Sequence, residues 1–297
     1  MIAFATTNSL QERFLADFAN QVVWGRNNDT QRLCCWFRFH PQHQEKTNTE
    51  VAAEIRKQLN GSFPSTNMPA TLAAVVKKIK EQFGEKMQAD GVAVDLLQRE
   101  RGWQPQQPTD KYPWQIIYQW LWDIEFPRRG WQLAQEIATC AIDELQMTAI
   151  DKLPLQRRLD LDEIETCEKT IRKGERYALG VNLGQDGYLL LVNQSQSGET
   201  ICLCPSRAYR LAAQFLPDRP LYLPQLNAPG KSLRFTEVGE EYFLAIVTEK
   251  PLNLSWVSPD SPPKDILVDE QRLREIFMEL GKQCNGRVYY KKFLVTE

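Results

Sequence analysis

The chain has few histidines, the residues that enzymes most often use as acids and bases, and it has no large excess of either charge. Only two histidines occur among its 297 residues, and 36 basic and 38 acidic side chains leave a formal net charge of −2. A protein that holds nucleic acid mainly through phosphates needs a basic excess, which is missing here. No apolar run approaches the roughly 20 residues of a membrane span, and the first residues do not read as a secretory signal. The composition therefore predicts a globular protein of the cytoplasm that does not contact membranes.

The seven cysteines are an odd number without the spacing of a disulfide framework, which predicts reduced, packed thiols. Cys34 and Cys35 precede His40 and His43, and thiolates with imidazoles are ligand types of zinc. Adjacent cysteines cannot easily both point at one ion, and no residue is placed to orient a Cys–His nucleophile pair. We expect no metal, no cofactor and no catalytic residue in this segment, which reads as a buried run followed by a surface loop.

A second pair of cysteines, Cys202 and Cys204, is separated by one residue in a predicted strand. The alternation of side chains along a strand places both sulfurs on the same face. Packing against apolar neighbours is the favoured interpretation, and a redox pair is the alternative.

The first half of the chain has the apolar spacing of helices. Residues recur at intervals of three and four from position 10 onward, and the pattern predicts a bundle of about five helices, the last one across 131–145. The aromatic and apolar run at 33–39 fits either a buried strand or a helical turn, since periodicity cannot separate the two.

The second half changes to the period of strands. Between 174 and 256, short apolar segments alternate with Gly, Pro and Asn, and 184–187 reads as the turn of a hairpin. A helix at 269–282 and a strand at 287–295 follow. The predicted fold class is α+β, with an N-terminal helical bundle and a C-terminal antiparallel β-sandwich or barrel that has one C-terminal helix. The expected domains are 1–152 and 174–297, joined by a connector helix at 153–173.

Three segments of the β half carry a resemblance to a known family: GERY at 174–177, DGYLLL at 186–191 and GEEYFLAIVTEKPL at 239–252. Their order resembles a bacterial domain of unknown function, family four-three-eight-four. That family is usually a C-terminal accessory module attached to caspase-like peptidases, protein kinases or lipoprotein-like partners, and no catalytic residue is assigned to it. The resemblance implies an interaction or sensing role, although this chain lacks a recognisable kinase or peptidase half.

Aromatic residues crowd the end of the helical half. Because tryptophan is favoured both in interfaces and in buried contacts between elements, this cluster predicts either a partner surface or a packed interior. The candidate partner-binding residues are Trp103, Trp114, Trp120, Trp122 and Trp131.

Two predicted helices within 47–86 resemble a helix-turn-helix in outline. The loop at 60–67 is longer than the three- or four-residue turn of that motif. If the segment did bind DNA, the contacts would come from its basic side chains, Arg56, Lys57, Lys77, Lys78 and Lys80.

The sequence thus favours a non-enzymatic bacterial adaptor or regulatory protein. It would bind a protein partner, such as a caspase-like peptidase or a signalling protein, without a cofactor. The alternative is a transcription-related protein that binds DNA through 47–86.

Overall fold

The fold is given by a computed structural model, and the chain divides into two compact units, Met1–Gly130 and Trp131–Glu297. The division lies earlier than the expected boundary at 152 and falls within the last helix of the first half. Most of the predicted connector at 153–173 lies outside the described residues. The structure describes residues 9–25, 28–59, 61, 63–98, 107, 110–150, 170–184, 186–211, 214–215, 220–283 and 286–297.

The first unit is helical, as the sequence predicts. A π-helical turn at Leu121–Glu125 joins the fifth helix to the sixth, and the sixth helix ends in the second unit. The run at 33–39, which the sequence left open between strand and helix, is part of the second helix. The helices are α1 (Leu10–Val22), α2 (Asp29–Phe39), α3 (Asn48–Gln58), α4 (Met68–Ala89), α5 (Pro113–Trp120) and α6 (Phe126–Ile137).

A helix cap, aromatic packing and a buried ion pair stabilise this helical unit. Thr47 and Glu50 form a capping box at the start of α3, which satisfies two backbone N–H groups that the helix leaves free. The core contains edge-to-face ring contacts, with the centroids of Phe14 and Phe126 separated by 5.2 Å. Buried Glu125 accepts hydrogen bonds from Lys86 at 2.7 Å and from Arg128 at 2.9 Å, so its charge is paired within the protein.

The second unit contains two sheets. The larger has the strand order β1-β11-β9-β5-β6-β10, with β3 beside β11 and β7 beside β5, and the smaller has the order β2-β4-β8. The strands are β1 (Thr139–Cys140), β2 (Leu145–Ala149), β3 (Thr170–Arg172), β4 (Tyr177–Val181), β5 (Gly187–Gln194), β6 (Thr200–Cys204), β7 (Gln214–Phe215), β8 (Leu221–Leu223), β9 (Gly239–Thr248), β10 (Ile266–Leu267) and β11 (Arg287–Thr296).

The two sheets share one apolar core, so this unit is a sandwich. Leu179 of the small sheet belongs to the same buried cluster as Leu191 and Phe243 of the large sheet. In the part of the chain that the structure describes, neither sheet closes into a barrel. The predicted α+β class is confirmed. The predicted C-terminal helix and last strand are also present: α7 spans Glu270–Gly281, with Asp269 capping its first turn, and β11 follows it.

Alternation along the long strands separates the two faces of the large sheet. Leu190, Ile246 and Val288 pair across β5, β9 and β11 and are buried on the face opposite the sandwich core. Further along the same face, the register brings polar residues of these strands together near the end of α6.

Two local predictions were wrong. The helix expected at 131–145 ends at Ile137, and β2 follows because Leu145–Ala149 pairs with β4 over its full length. The turn at 184–187 does not close a hairpin, since β4 and β5 lie in different sheets. In both cases the pairing partner is remote in sequence, and local periodicity contains no information about it.

Candidate binding surfaces

Among the described residues, the most exposed aromatic side chain is Trp24, in the loop between α1 and α2. It is 82% exposed, although tryptophan is ordinarily one of the more buried residues. Gly25, the next residue, has a φ of +102°, a left-handed conformation that favours glycine. The loop therefore turns directly after the tryptophan and leaves its side chain in solvent.

Three consecutive carbonyl groups of this loop are held by side chains of the same unit. Arg32 donates from one guanidinium nitrogen to the carbonyls of Val23 and Gly25, both at 3.0 Å, and Asn28 donates to the carbonyl of Trp24 at 2.9 Å. Arg32 is buried and also pairs with Asp29 at 2.5 Å. The backbone that presents the indole is thus fixed, and binding a partner would not have to order it.

The second surface is a cleft of about 600 Å³ in the β unit, on the face of the large sheet opposite the sandwich core. Two tyrosines lie at its base: Tyr242 of β9 and Tyr290 of β11 have parallel rings with centroids 5.7 Å apart. The cleft is lined by Gln135, Glu136, Ala138, Gln194, Ser195, Gln196, Glu240, Tyr242, Tyr290 and Lys292.

One wall of the cleft forms where the turn between β5 and β6 approaches the start of β9. The side-chain oxygen of Gln196 accepts a hydrogen bond from the backbone N–H of Glu240 at 2.9 Å. A Cβ at Gly239, where φ is +138°, would lie 2.8 Å from that same oxygen. The site needs glycine both for its φ and for the close approach.

Two ionisable groups of the cleft, Tyr242 and Lys292, keep their protons near neutral pH. Burial and the neighbouring Tyr290 raise the pKa of Tyr242 to about 12. The hydrogen bond from Lys292 to Glu240, with Nζ and Oε2 2.8 Å apart, raises the pKa of the lysine. Neither group is suited to take up a proton in a reaction at neutral pH, whereas both suit binding.

The predicted tryptophan cluster is divided by the structure. Trp120 is 1% exposed and donates to Asp90 at 2.8 Å, and buried Trp122 donates to the carbonyl of Phe39 at 2.9 Å. Packing within the helical unit therefore explains the positions of Trp120 and Trp122. Trp114 stays partly exposed with the Arg38 guanidinium 4.5 Å from its ring centroid, Trp131 is half-buried in α6, and Trp103 lies outside the described residues.

Three of the five cations considered for DNA contact are engaged with acceptors of the helical unit. Arg56 donates to the carbonyl of Phe63 at 3.2 Å, Lys57 lies 3.1 Å from Glu54, and Lys77 lies 3.7 Å from Glu81. Lys78 and Lys80 are partly buried on α4. This arrangement resembles the solvated face of a structural helix more than a row of cations aimed outward.

The cysteines and histidines of α2 and the turn after it are interior residues. Burial raises the pKa of the Cys34 thiol to about 12, so the thiolate needed for nucleophilic attack is disfavoured. His40 and His43 are buried too, so the prediction that they lie in a surface loop was wrong. Among the described residues no group of three or more His, Cys, Asp or Glu is placed to hold a metal ion.

The expectation that Cys202 and Cys204 lie on the same face of the strand was wrong, although both are buried, as the favoured interpretation of packing requires. The register between β5 and β6 shifts at this point, so that Cys204 pairs with Leu191 and Cys202 pairs with Val192. Leu191 faces the sandwich core and Val192 faces the other side of the sheet, which puts the two buried cysteines on opposite faces. A β-bulge adds a residue between them, and the simple alternation fails there.

Comparison with known proteins identifies part of the β unit. Residues 170–251 match the family model of a domain of unknown function, DUF4384. The DUF4384 segment, which confirms the resemblance seen in the sequence, extends from β3 to β9. Two strands that pair with strands of the matched segment lie outside it: β11, which pairs with β9, and β2, which pairs with β4.

Other comparisons add little to the DUF4384 match. No curated protein matches the chain. A solved structure of the Pseudomonas fluorescens alkylpurine DNA glycosylase AlkC bound to DNA containing an abasic site analog has 10% sequence identity and a TM-score of 0.17, covering 97% of this chain and 67% of that chain. That score supports no conclusion about fold or function. Among the described helices, none combines the length and apolar character that crossing a membrane requires.

Proposed function

We propose that this protein is a non-enzymatic adaptor or regulatory protein of the bacterial cytoplasm, and that it binds a protein partner through the exposed tryptophan of its helical unit. The β unit supplies a second binding surface, the cleft over Tyr242 and Tyr290. A caspase-like peptidase or a signalling protein fits the role of partner, since the accessory modules that the β unit resembles are attached to such proteins.

The presentation of Trp24 carries this proposal. A large apolar ring in water is unfavourable for an isolated protein, and tryptophan is the residue most enriched among interface positions that dominate binding energy. Here the ring projects from a loop whose carbonyls are held by Arg32 and Asn28. Both the exposure and the preorganisation favour a role as an anchor for a partner.

The chemistry of the candidate surfaces favours binding over catalysis. Cys34 is buried with a raised pKa, and in the cleft Glu240 is paired with Lys292. A reaction would need a group that can gain or lose a proton near neutral pH beside a bound substrate. The groups described here are arranged for hydrogen bonding and packing.

The experiment is co-purification of the tagged full-length protein from its own cells, followed by reconstitution with the purified partner. The Trp24→Ala variant should weaken the reconstituted complex about 30-fold, corresponding to about 2 kcal/mol for a central anchor. Leu96→Ala, which truncates another exposed apolar side chain of the same unit, is the matched control and should bind as the natural protein does.

Three results would contradict the proposal. One is a partner that binds the Trp24→Ala variant as tightly as the natural protein. Another is robust turnover of a small substrate by the protein purified alone. The third is retardation of duplex DNA at low salt that depends on Lys77 and Lys78, which would favour the DNA-binding alternative because phosphate contacts are strongest there.

A further inference from the structure

The cleft of the β unit combines unsatisfied hydrogen-bonding groups with a size suited to a ligand. Its volume of about 600 Å³ lies within the range of about 300–1,000 Å³ that is typical of ligand sites. The hydroxyl groups of Tyr242 and Tyr290 have no hydrogen-bond partner among the described residues, and both residues are partly buried. Partly buried phenols of this kind are satisfied by water or by a ligand.

Glutamine side chains from two different elements line the same cleft as these hydroxyls. Gln135 comes from the last turn of α6, and Gln194 comes from the end of β5, where its Nε2 donates to Thr200 at 3.3 Å and its oxygen stays free to accept. A primary amide offers the same donor and acceptor pair as a peptide bond, so these groups suit the main chain of a polypeptide.

The electrostatics of the cleft favour a cation. Its lining contains two carboxylates and one ammonium group, and the ammonium of Lys292 is paired with Glu240 at 2.8 Å. Glu136 therefore provides a negative charge that no lining cation balances. Among the described residues, its one side-chain hydrogen bond comes from the neutral amide of Gln132 at 2.8 Å. The carboxyl end of α6 also borders the cleft, and a helix carries partial negative charge at that end.

We infer that the cleft binds a segment of polypeptide that carries a lysine or arginine side chain. The cation would lie near Glu136 and the end of α6, its aliphatic stem along the rings of Tyr242 and Tyr290, and the flanking main chain against the two glutamine amides. Aromatic rings attract such cations through their faces, and long basic side chains pack their stems on apolar surface. This inference rests on the proposed function, because it names the chemistry by which the β unit would recognise a protein partner.

The test is calorimetric titration of the full-length protein with blocked pentapeptides, acetyl-Gly-Ser-X-Ser-Gly-amide, in which X is Lys, Arg, Gln or Glu. The Lys and Arg peptides should bind about ten-fold more tightly than the Gln peptide, since a charge-assisted contact is stronger than a neutral one, and the Glu peptide should not bind. Raising the salt concentration should reduce the difference between the Lys and Gln peptides.

Two variants locate the interaction. Glu136→Gln keeps the shape of the side chain and removes its charge, and it should weaken the Lys peptide about five-fold while leaving the Gln peptide unchanged. Glu270→Gln, at the exposed start of α7 and outside the cleft lining, is the matched control and should leave both peptides unchanged.

Other outcomes would overturn the inference. Equal binding of the Lys and Gln peptides, or equal effects of the two variants, would exclude recognition of a cation by Glu136. Putrescine that binds as tightly as the Lys peptide would make the ligand a small amine, and maltohexaose that binds in place of the peptides would make it a saccharide. Because these titrations use synthetic probes, their failure would leave capture of a partner by Trp24 intact.

Discussion

Two tryptophans of the helical unit show how one residue type takes opposite roles at the scale of single residues. Trp120 is enclosed, with its indole N–H bonded to Asp90, and Trp24 is 82% exposed beside a left-handed glycine. The crowded tryptophans of the sequence were predicted to bind a partner, whereas Trp24, which stands alone, was not. The available signal was the sequence Trp24-Gly25 directly after a helical pattern, because glycine ends helices and begins turns.

A histidine gives the first prediction at this scale. Burial, with smaller contributions from His43 and Lys46, lowers the pKa of His40 to about 4. The unfolded chain has a histidine pKa of about 6.5, so the unfolded state binds more protons below that pH, and stability is lost as pH falls from about 6.5 to 4. Between pH 7 and 4.5 the free energy of unfolding should fall by about 2 kcal/mol from this group alone.

The variant His40→Asn separates this effect from the titration of carboxylates. Asparagine can still accept the backbone N–H of Gln42, as His40 does through Nδ1 at 3.2 Å, but it does not titrate. Urea unfolding at several pH values should show a smaller acid loss for the variant. Parallel pH profiles for the two proteins would show that His40 is not the group responsible.

At the scale of elements, the connection between β4 and β5 determines how the sandwich is assembled. It carries the chain from the small sheet to the large one and has two glycines with positive φ: Gly184 at +62° within the connection, and Gly187 at +151° as the first residue of β5. Their surroundings differ. A Cβ at Gly187 would lie 2.8 Å from the carbonyl oxygen of Thr248, and a Cβ at Gly184 would meet no atom within 4 Å.

These surroundings predict unequal effects of alanine at the two positions. Gly187→Ala should lower the free energy of unfolding by about 3 kcal/mol or more, because backbone strain is added to a clash with the β9 backbone. Gly184→Ala should cost about 1 kcal/mol, from the left-handed conformation alone. Chemical denaturation of both variants measures the difference, and equal losses would contradict the close approach of β5 and β9 at Gly187.

At the scale of the whole molecule, the segment that matches DUF4384 is smaller than the folded unit. Nine residues of β11 pair with β9, from Arg287 with Val247 to Val295 with Gly239, and all of them lie beyond residue 251. The small sheet likewise depends on β2, which precedes the match. The matched segment alone would expose the edge of β9 and part of the sandwich core.

We therefore expect the fragment 126–297, which keeps α6 whole, to unfold cooperatively on heating. The fragment 170–251 should not, because it lacks β2, which pairs with β4, and β11, which pairs with β9. Thermal scans by circular dichroism and the dispersion of amide signals in NMR spectra compare the two. A cooperative transition in the shorter fragment would show that β2 and β11 are dispensable.

The sequence by itself determined the class of the protein and the position of its recurrent elements. Apolar spacing located α1, α3 and α4, and the alternation before residue 256 marked β5 and β9, because these signals depend on residues a few positions apart. The same local signals failed at Leu145–Ala149 and at Cys202, where a distant strand or a bulge decides the conformation.

Only the tertiary structure decided which strands share a sheet, which tryptophans are buried, and which residues meet in the cleft. Gln135, Gln194, Tyr242 and Tyr290 come from one helix and three strands, and their assembly depends on the register of β5, β9 and β11. Sequence patterns report the period of one element, whereas a binding surface of this kind is built from elements far apart in the chain. The candidate site therefore depends on register and packing between remote elements, which the strand pattern in the sequence does not contain.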